Sequence, residues 1–318
     1  MNPFSNDCEI IADSIGSNGI RITTMVVALP RCIWPEFLTH RVFSRNSQSS
    51  RAIPVQKVYD SVLNNPYVPI HWGANQRGMQ AFEEVDEEVI TQAHKLWLEA
   101  RDNALQSAKS LNDLGLHKQV VNRLLEPFQW HRALVTSTQW ENFLVLRDHK
   151  DAEPNIRALA IRMREELSRS EPVQRSFHLP FTDHFDQRSV EKFPLDFSML
   201  SAAKCARISY LTFDGRHDWR QDLELSKKLL TTPLHASALE HQATVHEKTI
   251  LGEAGNLHVP WVDHGQQWHQ FRKRFSHENA QENDSRDMAI WTGDKVMLLN
   301  DFMEMVEENL YNVLGNDA

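Results

Sequence analysis

Hydrogen-bonding side chains are concentrated in the stretch Glu36-Phe37-Leu38-Thr39-His40-Arg41-Val42-Phe43-Ser44-Arg45-Asn46-Ser47-Gln48-Ser49-Ser50-Arg51. A helix over Phe37–Arg45 would place His40 and Ser44 on one face. Arg41 and Arg45 would share the neighbouring face. The Asn/Ser/Gln tail that follows has little helix propensity and is predicted to be a loop. Such a helix and loop would direct charged donors and backbone N–H groups at one spot, as a phosphate-bearing ligand requires. A solvated basic helix is the alternative.

The overall composition is ordinary for a soluble enzyme. The chain has 318 residues, of which 41% are hydrophobic and 24% charged. This length suffices for one large domain or two of ordinary size. The net charge of −9 argues against a protein that coats a nucleic-acid polymer non-specifically. The basic character is local, which favours a small anionic ligand.

Cysteine usage and hydropathy indicate the cellular compartment in which the protein is expected. Cys8, Cys32 and Cys205 are widely separated, without the paired spacing of a disulfide framework or a zinc site. This pattern predicts a reducing, cytoplasmic environment. No apolar run approaches the roughly 18 residues of a membrane span, and the first residues lack the basic and apolar regions of a secretion signal. We therefore expect no membrane partner.

Hydrophobic periodicity predicts a helix-rich chain with a few strands. The predicted strands are Cys8–Ile15, Ile20–Leu29 and Gln242–Glu247. The predicted helices are Val55–Leu63, Met79–Leu114, Leu116–Leu125, Thr138–Arg147, Ile156–Ser168, Met199–Tyr210, Asp218–Leu230 and Asp294–Val313. The irregular stretch Glu171–Pro194 is interpreted as the main joint. The predicted division is 1–172, a joint at 173–195 and 196–318, together forming one integrated catalytic unit.

Two groups of residues are candidates for binding or catalysis. Arg41, Arg51, Arg123 and Arg147 form a set because arginine binds phosphates and pyrimidine edges through paired N–H groups. Each one alone is compatible with an ordinary surface position. The second group is the pair Glu240-His241. No further ligand stands three or four residues away in a helical context, so we predict no metal site. An acid–base histidine and a buried hydrogen-bonded histidine remain open.

Several segments resemble the motifs of the flavin-dependent thymidylate synthases. His40-Arg41-x-x-Ser44-x-Asn46-x-x-Ser49-x-Arg51 is similar to their Arg-His-Arg-x-x-Ser-x-Asn-Glu-x-Ser-x-Arg signature. The other similar segments are Asn122–Pro127, Asn142–Arg147 with Ile156–Ala160, Ala203–Tyr210 and Pro233–His241. Together they extend over about two thirds of the chain, and their co-occurrence is more specific than any one of them.

The resemblance implies a fold and an activity. The fold would be α+β, with an antiparallel sheet flanked by long helices, assembled as a homotetramer. The enzyme would transfer a one-carbon unit from methylenetetrahydrofolate to C5 of dUMP, with FAD and NADPH as redox partners. The resemblance further implies roles for particular residues. Arg147 and Ser49 would be catalytic, Arg51, Ser49, Arg123 and Arg147 would bind the nucleotide, and His40, Arg41, Asn46, Asn142, Ser209, Glu240 and His241 would face the flavin.

The sequence also departs from the family pattern. Thr39 stands in place of the first arginine, Ser47 in place of a glutamate, Asp151 in place of a histidine and Thr138 in place of an arginine. Arg272, Lys273 and Arg274 are candidates to replace lost cationic contacts. The motif order is rearranged, which fits either a circular permutation or an old duplication. A pyrimidine nucleotide C5 hydroxymethylase acting on dUMP or dCMP, and a non-catalytic nucleotide-binding paralogue, are the alternatives.

Overall fold

An antiparallel hairpin begins the chain. The computed structural model describes residues 1–210, 218–231, 234–245, 268–276 and 288–315. Strands β1 (Asp7–Ile15) and β2 (Arg21–Pro30) pair along nearly their whole length. The turn between them closes at Gly19, whose φ of +78° suits glycine. Both predicted strands are confirmed, since their β-branched runs flank a glycine-bounded turn.

The hairpin belongs to a five-stranded sheet with the order β3-β4-β2-β1-β5. Strands β3 (Ser44–Ser47) and β4 (Trp130–Ser137) continue the antiparallel pairing, and β5 (Val173–Gln174) joins β1 in parallel. The sequence analysis did not predict β4. It is buried on both faces and therefore lacks the alternation of a half-exposed strand.

The helix predicted over Phe37–Arg45 is wrong. Helix α1 (Trp34–Phe37) is a single turn, and the chain then bends and becomes the edge strand β3. Phe37 and Phe43 pack against each other at 5.5 Å between ring centroids, which holds the bend. Beyond it, serine and asparagine lose little by leaving a helix, and β4 supplies backbone partners that an isolated segment lacks.

Both faces of the sheet are covered. On β2, Met25, Val27 and Leu29 pack in one apolar cluster with α5 (Glu141–Arg147) and α6 (Pro154–Arg169). The alternate residue Val26 packs with Cys205 and Ile208 from the later part of the chain. The central sheet thus lies between two layers, and the predicted α+β class with an antiparallel sheet is confirmed.

The other described helices follow the periodic segments with shifted bounds. They are α2 (Val55–Asn64), α3 (Glu87–Asp113), α4 (Lys118–Val121), α8 (Pro194–Arg207), α9 (Trp219–Leu230) and α10 (Leu299–Leu314). Helix α7 (Gln187–Lys192) was not predicted, because it lies within the stretch Glu171–Pro194 that was interpreted as irregular. The prediction started α3 too early: Met79 and Phe82 are exposed and lie before the helix. Among the described helices, none combines the length and apolarity needed to cross a membrane.

Shorter strands complete the described part. A three-stranded sheet joins β6 (Phe177–His178), β7 (Ala243–Val245) and β8 (Trp268–Gln270). β9 (Ala289–Trp291) pairs with β10 (Val296–Leu298). The predicted strand over Gln242–Glu247 is matched by β7, and its last two residues lie outside the described ranges. The start of the predicted final helix is β10 instead.

Candidate active site

Strand β3 connects the first motif to the later part of the chain through Asn46. The side chain of Asn46 is buried, and its Nδ2 donates to the carbonyl of Cys205 at 2.6 Å. Its Oδ1 accepts from the hydroxyl of Ser209 at 2.9 Å. The backbone N–H of Ser49 donates to the carbonyl of Ser209 at 3.0 Å. The structure therefore brings together Asn46, Ser49 and Ser209, three predicted site residues from two distant segments.

His40 and Arg147 form a direct pair. The Nε–H of Arg147 donates to Nε2 of His40 at 2.8 Å. The His40 ring is buried and meets the edge of Phe143 at 4.9 Å. Burial, followed by the cations of Arg147 and Arg45, lowers the pKa of His40 from 6.5 to about 4. The imidazole is therefore neutral near pH 7, as accepting the Arg147 hydrogen bond requires.

The neighbours of Arg147 include Thr39, one of the two residues at which the first motif departs from the family. A terminal N–H of Arg147 donates to the Thr39 hydroxyl at 3.3 Å, and that hydroxyl donates to the carbonyl of Glu36 at 2.7 Å. The carboxylate of Glu36 lies 3.7 Å from Arg147. Thr39 therefore orients the guanidinium.

A second group of charges surrounds Glu240. Its carboxylate accepts a hydrogen bond from Arg272, and both side chains are 17% exposed. Burial raises the pKa of Glu240, while the cations of Arg272, Arg45 and Lys273 oppose that shift. Arg45 also donates to the carbonyls of Leu38 and His40 at 2.8 and 3.3 Å. Arg45 thus links the His40 turn to the Glu240 segment.

Of the three candidate replacement cations, two lie near Glu240 and one does not. Arg272 pairs with Glu240, and Lys273 is close enough to influence its pKa. Arg274 instead enters the core, where it donates to the Thr244 hydroxyl at 3.0 Å and stacks on Trp291. Arg274 therefore belongs to the packing between β7 and β9.

Arg123, one of the predicted nucleotide-side arginines, lies in a different network. Glu126 accepts hydrogen bonds from the Ser50 hydroxyl at 2.5 Å and from Arg31 at 3.4 Å, and it lies 3.7 Å from Arg123. Arg31 also donates to the carbonyl of Gln48 at 2.9 Å. Arg123 remains 62% exposed. Sequence reasoning missed Arg31, although a charged residue immediately after a buried strand is a usable signal.

Arg31 has a further contact with the buried His131. Its terminal nitrogen lies 2.8 Å from Nδ1 of His131. Burial and this cation together hold the pKa of His131 well below its usual range. The ring is therefore neutral, with Nδ1 as the acceptor. The Arg31 side chain thus connects the loop after β3 to strand β4.

Other predicted residues are not brought into these contacts. Arg41, Arg51 and Asn142 are exposed, and in the described part of the chain their side chains make no hydrogen bond or ion pair with another predicted site residue. Asp151 is exposed near His149, 3.5 Å from its ring. His241 is buried, and its Nδ1 lies 2.7 Å from the Thr136 hydroxyl. Ser47 is half-buried on β3.

The cysteines and metal-ligand side chains add no second centre among the described residues. Cys8, Cys32 and Cys205 are free thiols, and burial raises their pKa, to about 12 for Cys8 and about 11 for Cys32. None is therefore an activated nucleophile. Over the described ranges, no group of three His, Cys, Asp or Glu side chains is placed to hold a metal ion.

Residues 19–173 match the family model described as Thy1, thymidylate synthase complementing protein. This part of the chain belongs to the family. The resemblance to the flavin-dependent thymidylate synthases is thereby confirmed. The match includes the first motif, Arg123 and Arg147 and ends before the segments of Ser209 and Glu240. Among curated protein sequences, none matches the chain.

Solved structures similar to this chain each align with about half of it. One is the UMP/dUMP methylase PolB from Streptomyces cacaoi bound with 5-Br UMP, at 17% identity and a TM-score of 0.43, covering 51% of this chain and 87% of that one. Another is thymidylate synthase X from Helicobacter pylori with FAD and dUMP, at 16% identity and a TM-score of 0.31, covering 46% and 67%.

Proposed function

We propose that this Thy1-family protein is a flavin-dependent enzyme that modifies C5 of a pyrimidine nucleotide. The simplest reaction transfers a one-carbon unit from methylenetetrahydrofolate to dUMP, with FAD and NADPH as redox partners. The observation that carries the proposal is the pairing of His40 with Arg147, two motif residues more than a hundred positions apart, beside Arg45 and Glu240.

The cations and hydrogen-bond donors around strand β3 and Glu240 fit a flavin nucleotide. A flavin dinucleotide has a pyrophosphate that requires cations and a ring that requires hydrogen-bonding edges. Arg45, Arg272 and Lys273 supply partly buried positive charge against the carboxylate of Glu240. With His40, Asn46, Ser209 and His241, they would hold the group. When bound, the flavin would supply the redox chemistry.

Arg147 has the chemistry required at the pyrimidine. Making C5 nucleophilic places negative charge on the O2 edge of the ring, and a fixed guanidinium stabilises it. His40 and Thr39 engage one N–H each, and Glu36 lies 3.7 Å away. A guanidinium has five N–H groups, so others remain for a ligand. His40 acts as a neutral positioning partner, since it leaves the positive charge on Arg147.

The nucleotide phosphate would bind at the loop after β3. Arg51 and Arg123 are exposed there, and the Ser49 backbone is held by Ser209. Arg31 and Glu126 support the loop from beneath. This assigns the exposed arginines to phosphate and the partly buried Arg147 to the base.

The spectrum and the product of the purified protein test the proposal. We expect a yellow protein with bound FAD that converts dUMP to a product heavier by a methyl group when given methylenetetrahydrofolate and NADPH. A product heavier by a hydroxymethyl group, or turnover of dCMP in place of dUMP, would support the hydroxymethylase alternative. A colourless protein that takes up no FAD would refute the proposal.

Arg147→Ala is expected to abolish turnover while FAD remains bound, because the flavin would keep its other contacts. The matched control is Arg164→Ala. Arg164 also contacts α5, donating to the carbonyl of Leu144 at 3.1 Å, but it pairs with Asp148 away from His40. Turnover should survive in the control. Unchanged turnover in Arg147→Ala would remove Arg147 from the chemistry.

We further propose one integrated catalytic unit and a homotetramer. The joint 173–195 supports the first point, because it supplies β5 to the first sheet and β6 to the second. Light scattering of the purified protein tests the second, and a monomeric mass would refute it. The expected cytoplasmic setting and the choice between permutation and duplication stay predictions.

A further inference from the structure

A line of buried hydrogen bonds crosses the molecule from β1 to the Glu240-His241 segment. Ser14 Oγ lies 2.9 Å from Nδ1 of His178, and Nε2 of His178 lies 2.7 Å from the Thr24 hydroxyl. The Thr24 and Thr136 hydroxyls are 2.6 Å apart, and Thr136 lies 2.7 Å from Nδ1 of His241. All five side chains are 0–3% exposed.

The sheet register builds this line. Thr24 of β2 lies directly opposite Thr136 of β4, so the two hydroxyls point to the same face. That face also holds Val26 and Leu134, which pack with the later part of the chain. At its far end, Ser14 lines a cavity of about 240 Å³ beside β5. The line therefore connects that cavity to the residue next to Glu240.

Each threonine hydroxyl has one proton to donate, so both protons are used along the line only when the donors all point the same way. If Thr24 donates to Thr136, then Thr136 donates to Nδ1 of His241, and Thr24 accepts from Nε2–H of His178. If Thr136 donates to Thr24, every bond reverses. With neutral rings, these are the two arrangements in which both buried threonine protons are used. In the first, both histidines are protonated on Nε2; in the second, both are protonated on Nδ1.

Ser14 favours the first arrangement. In it, the Ser14 hydroxyl donates to His178. In the second, that buried O–H would need another acceptor, and within the described residues Ser14 Oγ has only His178 as a partner. An unused buried donor costs about 1–3 kcal/mol. The first arrangement leaves its own buried N–H at the other end of the line, Nε2–H of His241, and the flavin of the proposed function would supply the acceptor for it.

We propose that this line is a relay through which Ser14 sets the tautomer of His241. Ser14, Thr24, Thr136 and His178 are positioning residues that decide whether Nε2 of His241 is a donor or an acceptor. The inference rests on the proposed function in assigning His241 to the flavin-facing set. The coupling between the two rings depends only on the hydrogen bonds of the line itself.

The substitution Ser14→Asp should reverse the direction of hydrogen-bond donation at the Ser14 end of the relay. A carboxylate can only accept, so it would hold His178 protonated on Nδ1, as the aspartate of a Ser-His-Asp triad does. Thr24 would then donate to His178 and Thr136 to Thr24. His241 should therefore change from Nε2–H to Nδ1–H. Ser14→Asn is the matched control, since its amide can still donate and should leave His241 unchanged.

Nuclear magnetic resonance of ¹⁵N-histidine-labelled protein measures the tautomers directly, with His241→Gln and His178→Gln assigning the signals. Thr24→Val in the Ser14→Asp background cuts the relay and should restore Nε2–H at His241. Thr23→Val in the Ser14→Asp background should not restore Nε2–H at His241, because the buried Thr23 hydroxyl donates to Asp13, outside the relay. An unchanged His241 in folded Ser14→Asp protein would overturn the proposal.

The unsubstituted protein provides a second test if Ser14→Asp does not fold. Its two rings must be protonated on the same kind of nitrogen, both expected on Nε2. Opposite tautomers at His178 and His241 would overturn the relay. These measurements need no flavin. Matched tautomers without FAD binding would therefore refute the proposed function alone, and opposite tautomers in an active flavoenzyme would refute the relay alone.

Discussion

Replacing His40 with glutamine tests the electrostatics of the candidate site. Burial, Arg147 and Arg45 lower the pKa of His40 from 6.5 in the unfolded chain to about 4 in the folded protein. The folded state therefore resists protonation of this ring. Glutamine has no titrating group in this range, and its amide oxygen can still accept the Arg147 hydrogen bond.

The size of the effect follows from linkage. A histidine whose pKa is lowered on folding contributes stability that is complete above pH 6.5 and is lost as the pH falls through that value towards 4. One pKa unit corresponds to about 1.4 kcal/mol, so the folded protein should lose about 2 kcal/mol through His40 at pH 5 and about 3 kcal/mol at pH 4. Below pH 4 the loss should level off.

Urea unfolding at pH 7, 6, 5 and 4 measures this loss. Other groups also titrate, so the quantity of interest is the difference between the unsubstituted protein and His40→Gln at each pH. We expect that difference to change by about 3 kcal/mol between pH 7 and pH 4. His94→Gln, at an exposed position on α3, controls for the change of residue type. Parallel curves for the unsubstituted protein and His40→Gln, or a His40 ring that titrates between pH 6 and 7, would refute the reasoning.

Two further predictions concern stability. Burial raises the pKa of Asp196 to about 7 despite a hydrogen bond from Asn309, so its ionisation costs the fold stability as the pH rises from 4 to 7. Asp196→Asn should therefore stabilise the protein at pH 8 by on the order of 2–4 kcal/mol in urea unfolding, and no gain would contradict this. Asn46→Ala should cost about 2–3 kcal/mol, because it removes the partner of the Cys205 carbonyl and the Ser209 hydroxyl. A loss below about 0.5 kcal/mol would show that another group replaces the amide.

Local patterns sufficed for part of the fold. The β1–β2 hairpin was predicted because its β-branched runs and glycine turn are adjacent in sequence. Helices α2 and α6 were predicted within two residues at each end because their apolar faces repeat over several turns. The predicted start of α3 was wrong because it relied on exposed apolar residues. Met79 has the right spacing but packs against nothing that would order it in a helix.

The residues of the candidate site could be selected from the sequence, but their arrangement could not. Motif spacing identified His40, Asn46, Arg147 and Glu240 as belonging together. It placed the first motif on a helix, whereas the protein holds it as the edge strand β3 because β4, more than eighty positions away, supplies its backbone partners. The contact of Arg31 with His131 also depends on β4, and the line from Ser14 to His241 depends on the pairing of β4 with β2.

Short-range periodicity therefore predicted the main helices, whereas the motif resemblance predicted the α+β class and the set of polar residues proposed to bind a nucleotide and a flavin. The tertiary structure decided which of these side chains meet, which carry a shifted pKa and which stay in solvent. The physical reason is that hydrogen bonds such as Arg147 to His40 join atoms brought together by packing, and burial, which sets the pKa of His40, does not exist until both layers cover the sheet.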